Sequence, residues 1–214
     1  MRRTFYFVVV LLAAGLLTSG CRSLITPPTP FEIYDLGPGY AGNDVPLLVP
    51  SRVELVSPTW LATTAMQYRL DYLPVAPREA YSQSRWAGHP GEMLERLVEA
   101  GLSREATQGS HCRLLLDLDD FVQRFDEAAH SRSEVAVRAR LLAPQRESVL
   151  ARESFRISVE APTPDAAGGV EAHRQAATQL VDEVFVWLNT LAADEEAYIV
   201  RRCLGPWREL ERVR

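Results

Sequence analysis

The chain has 214 residues, of which 47% are hydrophobic and 24% are charged, and this composition excludes a wholly disordered or collagen-like protein. All 23 basic residues are arginine, which excludes catalysis by a lysine Schiff base or a phosphate-loop lysine. The formal net charge of −5 disfavours nucleic acid as a partner.

The N-terminus predicts export and membrane anchoring. Two arginines precede an uncharged, mostly apolar run, Phe5–Leu17, which is typical of a signal peptide and too short to cross a bilayer. The next residues, T-S-G-C, resemble a bacterial lipobox, which predicts that residues 1–20 are removed and that Cys21 carries palmitate-like acyl chains. Thr18 stands where most lipoboxes have leucine, so an ordinary secretory signal with a free Cys21 is the alternative.

The residues after Cys21 predict where the protein resides and how its domain is held. Arg22 stands where aspartate would resemble an inner-membrane retention signal, so the periplasmic face of the outer membrane is the expected location. Three prolines within residues 21–30 predict a stiff, extended tether. Residues 31–193 are expected to form one folded domain, and residues 194–214 an amphipathic C-terminal tail.

Short strands are predicted in the first half of the domain. Apolar or alternating runs occupy residues 31–36, 47–49, 53–56, 66–72 and 81–86. The loop Gly37–Gly42 spells G-x-G-x-x-G, but Pro46 and an extended stretch follow it, so no helix can begin there to bind a dinucleotide. We therefore expect no cofactor.

The second half predicts a helix, three strands and a long helix. The first helix spans Pro90–Leu102, and strands follow at 112–125, 134–143 and 148–159, with a turn at 144–147. The segment Val170–Leu191 carries a wide apolar stripe that must lie on the sheet. This order predicts a single α+β domain, with a mostly antiparallel sheet and two helices packed on one face.

Two cysteines remain in the predicted domain and tail, Cys112 and Cys203. An oxidising periplasm permits a disulfide between them, which would attach the C-terminal segment to the domain. Two unpaired thiols, one buried and one on the surface, are the alternative. No C-x-x-C motif and no histidine cluster predicts a metal site.

A cluster of charges is predicted on the solvent face of the sheet. Strand alternation turns Asp117 and Asp119 away from the core, and the hairpin turns four arginines the same way: Arg138, Arg140, Arg152 and Arg156. Two registers keep the apolar faces together, and they pair Arg152 with either Arg140 or Arg138. Because like charges side by side destabilise a sheet, the two aspartates are the expected partners if their strand is adjacent.

This charge cluster has two interpretations. It is either a solvated sheet face held by salt bridges, or an arginine-rich patch that binds an acidic partner surface or lipid phosphate through bidentate contacts.

Ser110-His111 lacks a nucleophile elbow, so no catalytic residue is predicted. Trp86 and Trp187 are interpreted as packing residues. The basic, partly apolar tail fits an arm that docks on a neighbouring subunit or anionic surface, or a helix folded back on its own domain.

The order of these features resembles a known family. It is carried by the lipobox Cys21, Tyr34-Asp35-Leu36, Tyr81, Arg85-Trp86-Ala87, Pro90, Met93-Leu94, Leu97, Asp119-Asp120-Phe121, Ser154-Phe155 and Trp187-Leu188. These residues resemble the ABC-type transport auxiliary lipoproteins, the family of paraquat-inducible protein C, from about Tyr34 to Leu191. The resemblance implies a non-enzymatic outer-membrane lipoprotein that works with an MCE-domain protein and an inner-membrane ABC or permease component to move lipids. Ring assembly in the family makes a homo-oligomer a further expectation.

The predicted function is therefore a membrane-anchored auxiliary subunit of an ABC/MCE lipid-transport system that acts as a docking component. Two alternatives stay open. One is a lipid-binding carrier lipoprotein whose domain encloses an apolar pocket. The other is an envelope-assembly lipoprotein with the same architecture and a different partner.

Overall fold

The computed structural model describes residues 30–37, 46–103, 110–144, 148–193 and 198–204. The described residues from Phe31 onward belong to one unit. The predicted signal peptide, Cys21, the tether before Pro30, most of the Gly37–Gly42 loop, residues 145–147 of the predicted turn and most of the tail lie outside the described residues.

The described residues form seven strands and three helices. The strands are β1 (Glu32–Tyr34), β2 (Arg52–Val56), β3 (Ala65–Leu70), β4 (Arg78–Trp86), β5 (Arg113–Glu127), β6 (His130–Leu142) and β7 (Val149–Glu160). The helices are α1 (Pro90–Ser103), α2 (Ala166–Ala193) and α3 (Tyr198–Leu204). This confirms the predicted α+β class.

All seven strands belong to one mixed sheet; six follow the order β1-β4-β3-β5-β6-β7, and the seventh, β2, pairs with β5 off this path. Strands β5, β6 and β7 form an antiparallel meander. Two short strands lie in parallel beside β5 on the side away from β6: β2 along residues 113–117, and β3 along residues 123–125. The length of β5 makes it the strand that joins the two parts of the sheet.

One apolar cluster joins the inner face of the sheet to helices α1 and α2. Leu116 of β5 and Val137 of β6 are buried against α2 residues such as Leu180 and Val184. Burial of each such side chain contributes about 2 kcal/mol to the stability of the fold. The helices therefore cover the sheet face that carries these apolar residues. The opposite face of the sheet is the one that carries the arginines.

A β-bulge in β5 changes which side chains face the core. Leu118 pairs with Val137, but Asp120 pairs with the next residue of β6, Ala136, so Asp119 is the extra residue. The shift turns Phe121 into the core, where uninterrupted alternation from Leu118 would have turned it outward. The bulge therefore continues the inner face of β5 with Phe121, and the next inward residue, Gln123, is polar and buried.

Some predicted boundaries differ from the observed ones. Residues 47–49 are not a strand: Leu48 and Val49 are buried, but their backbone is irregular, and the Leu47 amide bonds the Asn189 side chain. Helix α2 begins at Ala166, before Gly168 and Gly169, because its N-terminus is capped. The Asp165 carboxylate accepts the Gly168 amide at 2.8 Å, and this bond lowers the pKa of Asp165.

The two glycines of α2 permit close packing. A Cβ atom on Gly168 would lie 2.1 Å from the Thr163 carbonyl oxygen, and one on Gly169 would lie 2.0 Å from the Gln123 side chain. The first contact is with backbone, so it would require movement of the helix or the loop, and the second would require the buried Gln123 side chain to move. Glycine therefore brings the first turn of α2 against the neighbouring loop and β5.

We expect Gly168→Ala to lower the free energy of unfolding by about 1–3 kcal/mol, because the added methyl group collides with backbone that cannot rotate away. Urea denaturation of the purified domain measures this change. Gly88→Ala is the matched control, since its Cβ would meet its nearest neighbour at an ordinary 3.6 Å. Equal stability of the two variants would contradict the expectation.

Candidate functional site

The solvent face of β5, β6 and β7 carries a set of charged side chains that we call the arginine–carboxylate face. Strand alternation turns these residues away from the apolar cluster. Its members are Asp117, Asp119, Glu134, Arg138, Arg140, Arg152 and Arg156. The four arginines of the sequence prediction thus lie together on one surface.

The β6–β7 register places two arginines directly opposite each other. Arg140 pairs with Arg152, which confirms one of the two registers predicted from the sequence. The like charges are relieved from β5: Arg140 donates to Asp117 with an Nη2–Oδ2 distance of 2.8 Å. Arg138 forms a bidentate ion pair with Asp119, with an Nε–Oδ2 distance of 2.6 Å and an Nη2–Oδ1 distance of 2.7 Å. The predicted aspartates are therefore the partners.

These bonds favour the charged form of Arg138. The hydrogen bonds that Asp119 accepts raise the pKa of the Arg138 guanidinium above its ordinary value. The side chains of the pair are 60% and 41% exposed, and exposed ion pairs contribute little to stability. The pair therefore orients the guanidinium on the surface more than it stabilises the fold.

Arg152 differs from its neighbours. Within the part of the chain that the structure describes, its guanidinium has no hydrogen bond, ion pair or aromatic contact, and the residue is exposed. It lines an open groove of about 380 Å³ together with Arg138, Arg140 and Ser154. A planar carboxylate or phosphate placed there would meet a guanidinium whose donors are unused.

The charged surface extends beyond the predicted residues. Glu134 accepts a 2.6 Å bond from Arg156 and lies 3.6 Å from Arg124, which also bonds Asp71 at 2.7 Å. Desolvation lowers the pKa of Arg124, but the bond to Asp71 and nearby carboxylates outweigh it, so the net pKa is raised. Arg124 was not predicted as part of this surface, although an arginine between Gln123 and Phe125 on a long strand indicates a solvent-facing position.

A second missed pair joins β4 to the β5 bulge. Arg78 donates to Asp120 at 2.7 Å, and its guanidinium lies 4.4 Å from the centre of the Trp60 ring. The bulge makes this possible, because it turns both Asp119 and Asp120 toward the solvent face. The charged surface therefore continues across the sheet from β7 to β4.

The two cysteines of the domain and tail are bonded in this structure. The Cys112 and Cys203 sulfur atoms form a disulfide, and the two Cα atoms are 5.0 Å apart. Cys203 lies on α3, the described part of the tail, and its carbonyl oxygen accepts the His111 amide at 2.7 Å. This part of the tail is a helix folded back on the domain, while the arm residues Trp207, Leu210 and Val213 lie outside the described residues.

The predicted packing role of both tryptophans is confirmed. Trp86 is buried beside Phe121, and Trp187 packs edge-on against Phe155. Across the described residues, no group of three histidine, cysteine or acidic side chains is placed to hold a metal ion. No helix among them has the length and apolar character needed to cross a bilayer.

The sequence also matches a known protein family. Residues 58–185, which run from the loop before β3 into α2, match the family model described as ABC-type transport auxiliary lipoprotein component. The chain belongs to this family. Membership in an auxiliary lipoprotein family implies membrane anchoring and association with an ABC transport system.

Solved structures share the fold of this family member. A crystal structure of a Xanthomonas campestris protein assigned to DUF330 is 20% identical and superposes with a TM-score of 0.63, covering 78% of this chain and 99% of that one. A second crystal structure, of a protein described as uncharacterized, is 11% identical with a TM-score of 0.57 and covers 74% and 99%. At these identities the likeness extends to the fold alone. No curated protein matches the sequence.

Proposed function

We propose that this auxiliary lipoprotein is a docking component of an ABC/MCE-type lipid-transport system, held at the periplasmic face of the outer membrane and without enzymatic activity. Acyl chains on Cys21 fix the protein to the membrane, and residues 21–30 set the reach of the domain. The arginine–carboxylate face receives an acidic surface of the MCE-domain protein, which connects to the inner-membrane permease. Family membership supports the transport role.

The observation that carries the proposal is the state of Arg152. Its neighbours Arg138 and Arg140 are occupied by Asp119 and Asp117, while the Arg152 donors find no partner among the described residues. The β-strand holds Arg152 beside guanidinium groups that carboxylates already bind. Its own donors are therefore positioned to bind a carboxylate from a partner.

Anchoring explains why a modest surface is sufficient. Attachment to one membrane restricts the domain to a thin layer, which raises its local concentration near a partner that reaches the same membrane. Each charge contact then adds specificity and speeds association more than it adds affinity. Docking can thus be reversible while the protein stays in place.

The docking role is tested by charge reversal at Arg152. We expect Arg152→Glu to weaken capture of the purified MCE-domain partner by about tenfold or more, because an acidic surface would then meet a like charge. Arg96→Glu is the matched control, since Arg96 is also exposed but lies on α1, on the other side of the sheet. Affinity is measured by surface binding assays at two salt concentrations.

Equal binding by both variants would exclude the arginine–carboxylate face as the docking surface. Arg152 is exposed and makes no bond within the described residues, so its reversal leaves the fold intact. A loss of binding therefore reports on the interface.

Anchoring is tested separately at Cys21. We expect Cys21→Ser to move the exported protein from the membrane fraction to the soluble periplasm and to abolish incorporation of labelled palmitate. Density-gradient separation of the envelope then shows which membrane holds the wild-type protein. Sedimentation of the serine variant with membranes would contradict acylation at this residue, whatever the outcome at Arg152.

A further inference from the structure

Strand β7 forms one edge of the sheet and is twelve residues long. Among the described residues it pairs only with β6. A long edge strand exposes a row of backbone donors and acceptors that can pair with another chain. The edge of β7 is therefore a surface on which an extended segment can be added.

The hydrogen-bond pattern shows which amides face this edge. The Ala161 amide, just after β7, donates to the Ser131 carbonyl of β6 at 2.8 Å. No register shift lies between this point and the Arg140–Arg152 pair, so odd-numbered amides of β7 point to β6 and even-numbered ones point away. The Ser154 amide fits this pattern, because it donates to the side chain of Glu153 at 3.0 Å instead of to β6.

A groove runs beside this edge, between β7 and α2. It has a volume of about 470 Å³, and its apolar lining comes from Phe155, Trp187 and Val186, the last of which is 61% exposed. The carboxylates of Glu153 and Glu183 border it. The side of the edge that faces the helices is thus apolar and acidic.

The two sides of the β7 edge differ in charge. On the solvent face of the sheet, the edge carries Arg152 and Arg156, separated by Ser154. Side chains of an added strand alternate between the two faces. One set of its side chains would therefore meet arginines, and the other would meet the groove with its apolar floor and acidic border.

We propose that the β7 edge binds an extended segment of a partner protein by strand addition. The segment alternates acidic residues, which face Arg152 and Arg156, with apolar and basic residues, which enter the groove beside α2. Its carbonyl oxygens accept the Ser154 and Arg156 amides. The inference shares Arg152 with the proposed docking function and is otherwise carried by β7 and α2.

The test uses a blocked synthetic peptide of about nine residues in which glutamate alternates with valine and arginine. Wild-type protein and Ser154→Ala are expected to bind it saturably, with slower amide exchange at Ser154 and Arg156. Ser154→Pro should bind at least about tenfold more weakly, since proline removes an edge amide that the β6 ladder does not use. A scrambled peptide of the same composition should bind as weakly to wild-type protein.

A second pair of variants tests the proposal independently, in case the proline variant misfolds. Val186→Asp places a charge in the groove at an exposed position and should also weaken peptide binding, whereas Thr178→Asp, exposed on α2 outside the groove lining, should not. Unchanged binding by both Ser154→Pro and Val186→Asp overturns the proposal, as does equal binding of the scrambled peptide. Protection of the Ser154 amide that rises with protein concentration alone would assign the edge to a second copy of this chain instead.

Because Ser154→Pro retains the Arg152 side chain, the two proposals can fail separately. Loss of peptide binding in Ser154→Pro, with MCE-partner capture unchanged in Arg152→Glu, would support strand addition and exclude the docking role. Loss of partner capture in Arg152→Glu, with peptide-induced amide protection absent in the wild-type protein, would support docking and overturn strand addition.

Discussion

Replacing Cys112 and Cys203 with serine is expected to lower the free energy of unfolding by about 4 kcal/mol under oxidising conditions. The disulfide joins residues 91 positions apart, and closing so long a loop removes much conformational freedom from the unfolded chain. Both cysteines are completely buried, and Cys203 holds α3 against the start of β5. Chemical denaturation of the wild-type protein and the double variant measures the difference.

Reduction supplies the control for this prediction. Wild-type protein treated with a reductant should approach the stability of the double variant, while the variant should not respond to the reductant. Alkylation before and after reduction, followed by mass measurement, shows whether the thiols are bonded in the exported protein. Equal stability of wild-type and double-variant protein without reductant would contradict the predicted effect.

The hairpin of β6 and β7 could be predicted well because its pattern is local. Alternating apolar residues around Val137 and Phe155 specify which side chains face inward, and this limits the register to the two choices that include the observed Arg140–Arg152 pair. The same logic found the acidic partners on β5. The long α2 helix was predicted for the same reason, since its apolar stripe repeats along a single segment.

The rest of the sheet could not be predicted from local pattern. Strands β2 and β3 pair in parallel with β5, and parallel pairs depend on crossovers between residues far apart in sequence. The contacts of Arg78 and Arg124 follow from this strand order, which is why sequence analysis missed them. The bulge at Asp119 leaves no periodic signal of its own, yet it decides that Asp120 faces Arg78.

The core contains one ionisable group that links stability to pH. His173 of α2 is buried beside the rings of Phe121 and Trp86, with ring centres 4.3 and 5.5 Å away. Its Nδ1 atom bonds the Gly169 carbonyl oxygen at 2.7 Å, while Nε2 is buried without a hydrogen-bond partner. Burial lowers the pKa of His173 from 6.5 to about 4, although the Gly169 carbonyl and the charge of Asp120 oppose this shift.

His173 should therefore make the fold sensitive to acid. Between pH 6.5 and 4 the unfolded chain takes up a proton that the folded protein does not, so acidification favours unfolding. The full contribution of His173 to stability is present above pH 6.5, and we expect about 3 kcal/mol to be lost by pH 4.

His173→Phe keeps an aromatic ring in the cluster and should remove this part of the pH dependence, while acid sensitivity from carboxylates such as Asp165 remains in both proteins. Urea denaturation at pH 7, 5.5 and 4 measures the difference. Parallel stability curves for the two proteins would show that His173 is already charged, or reaches water, in the folded state.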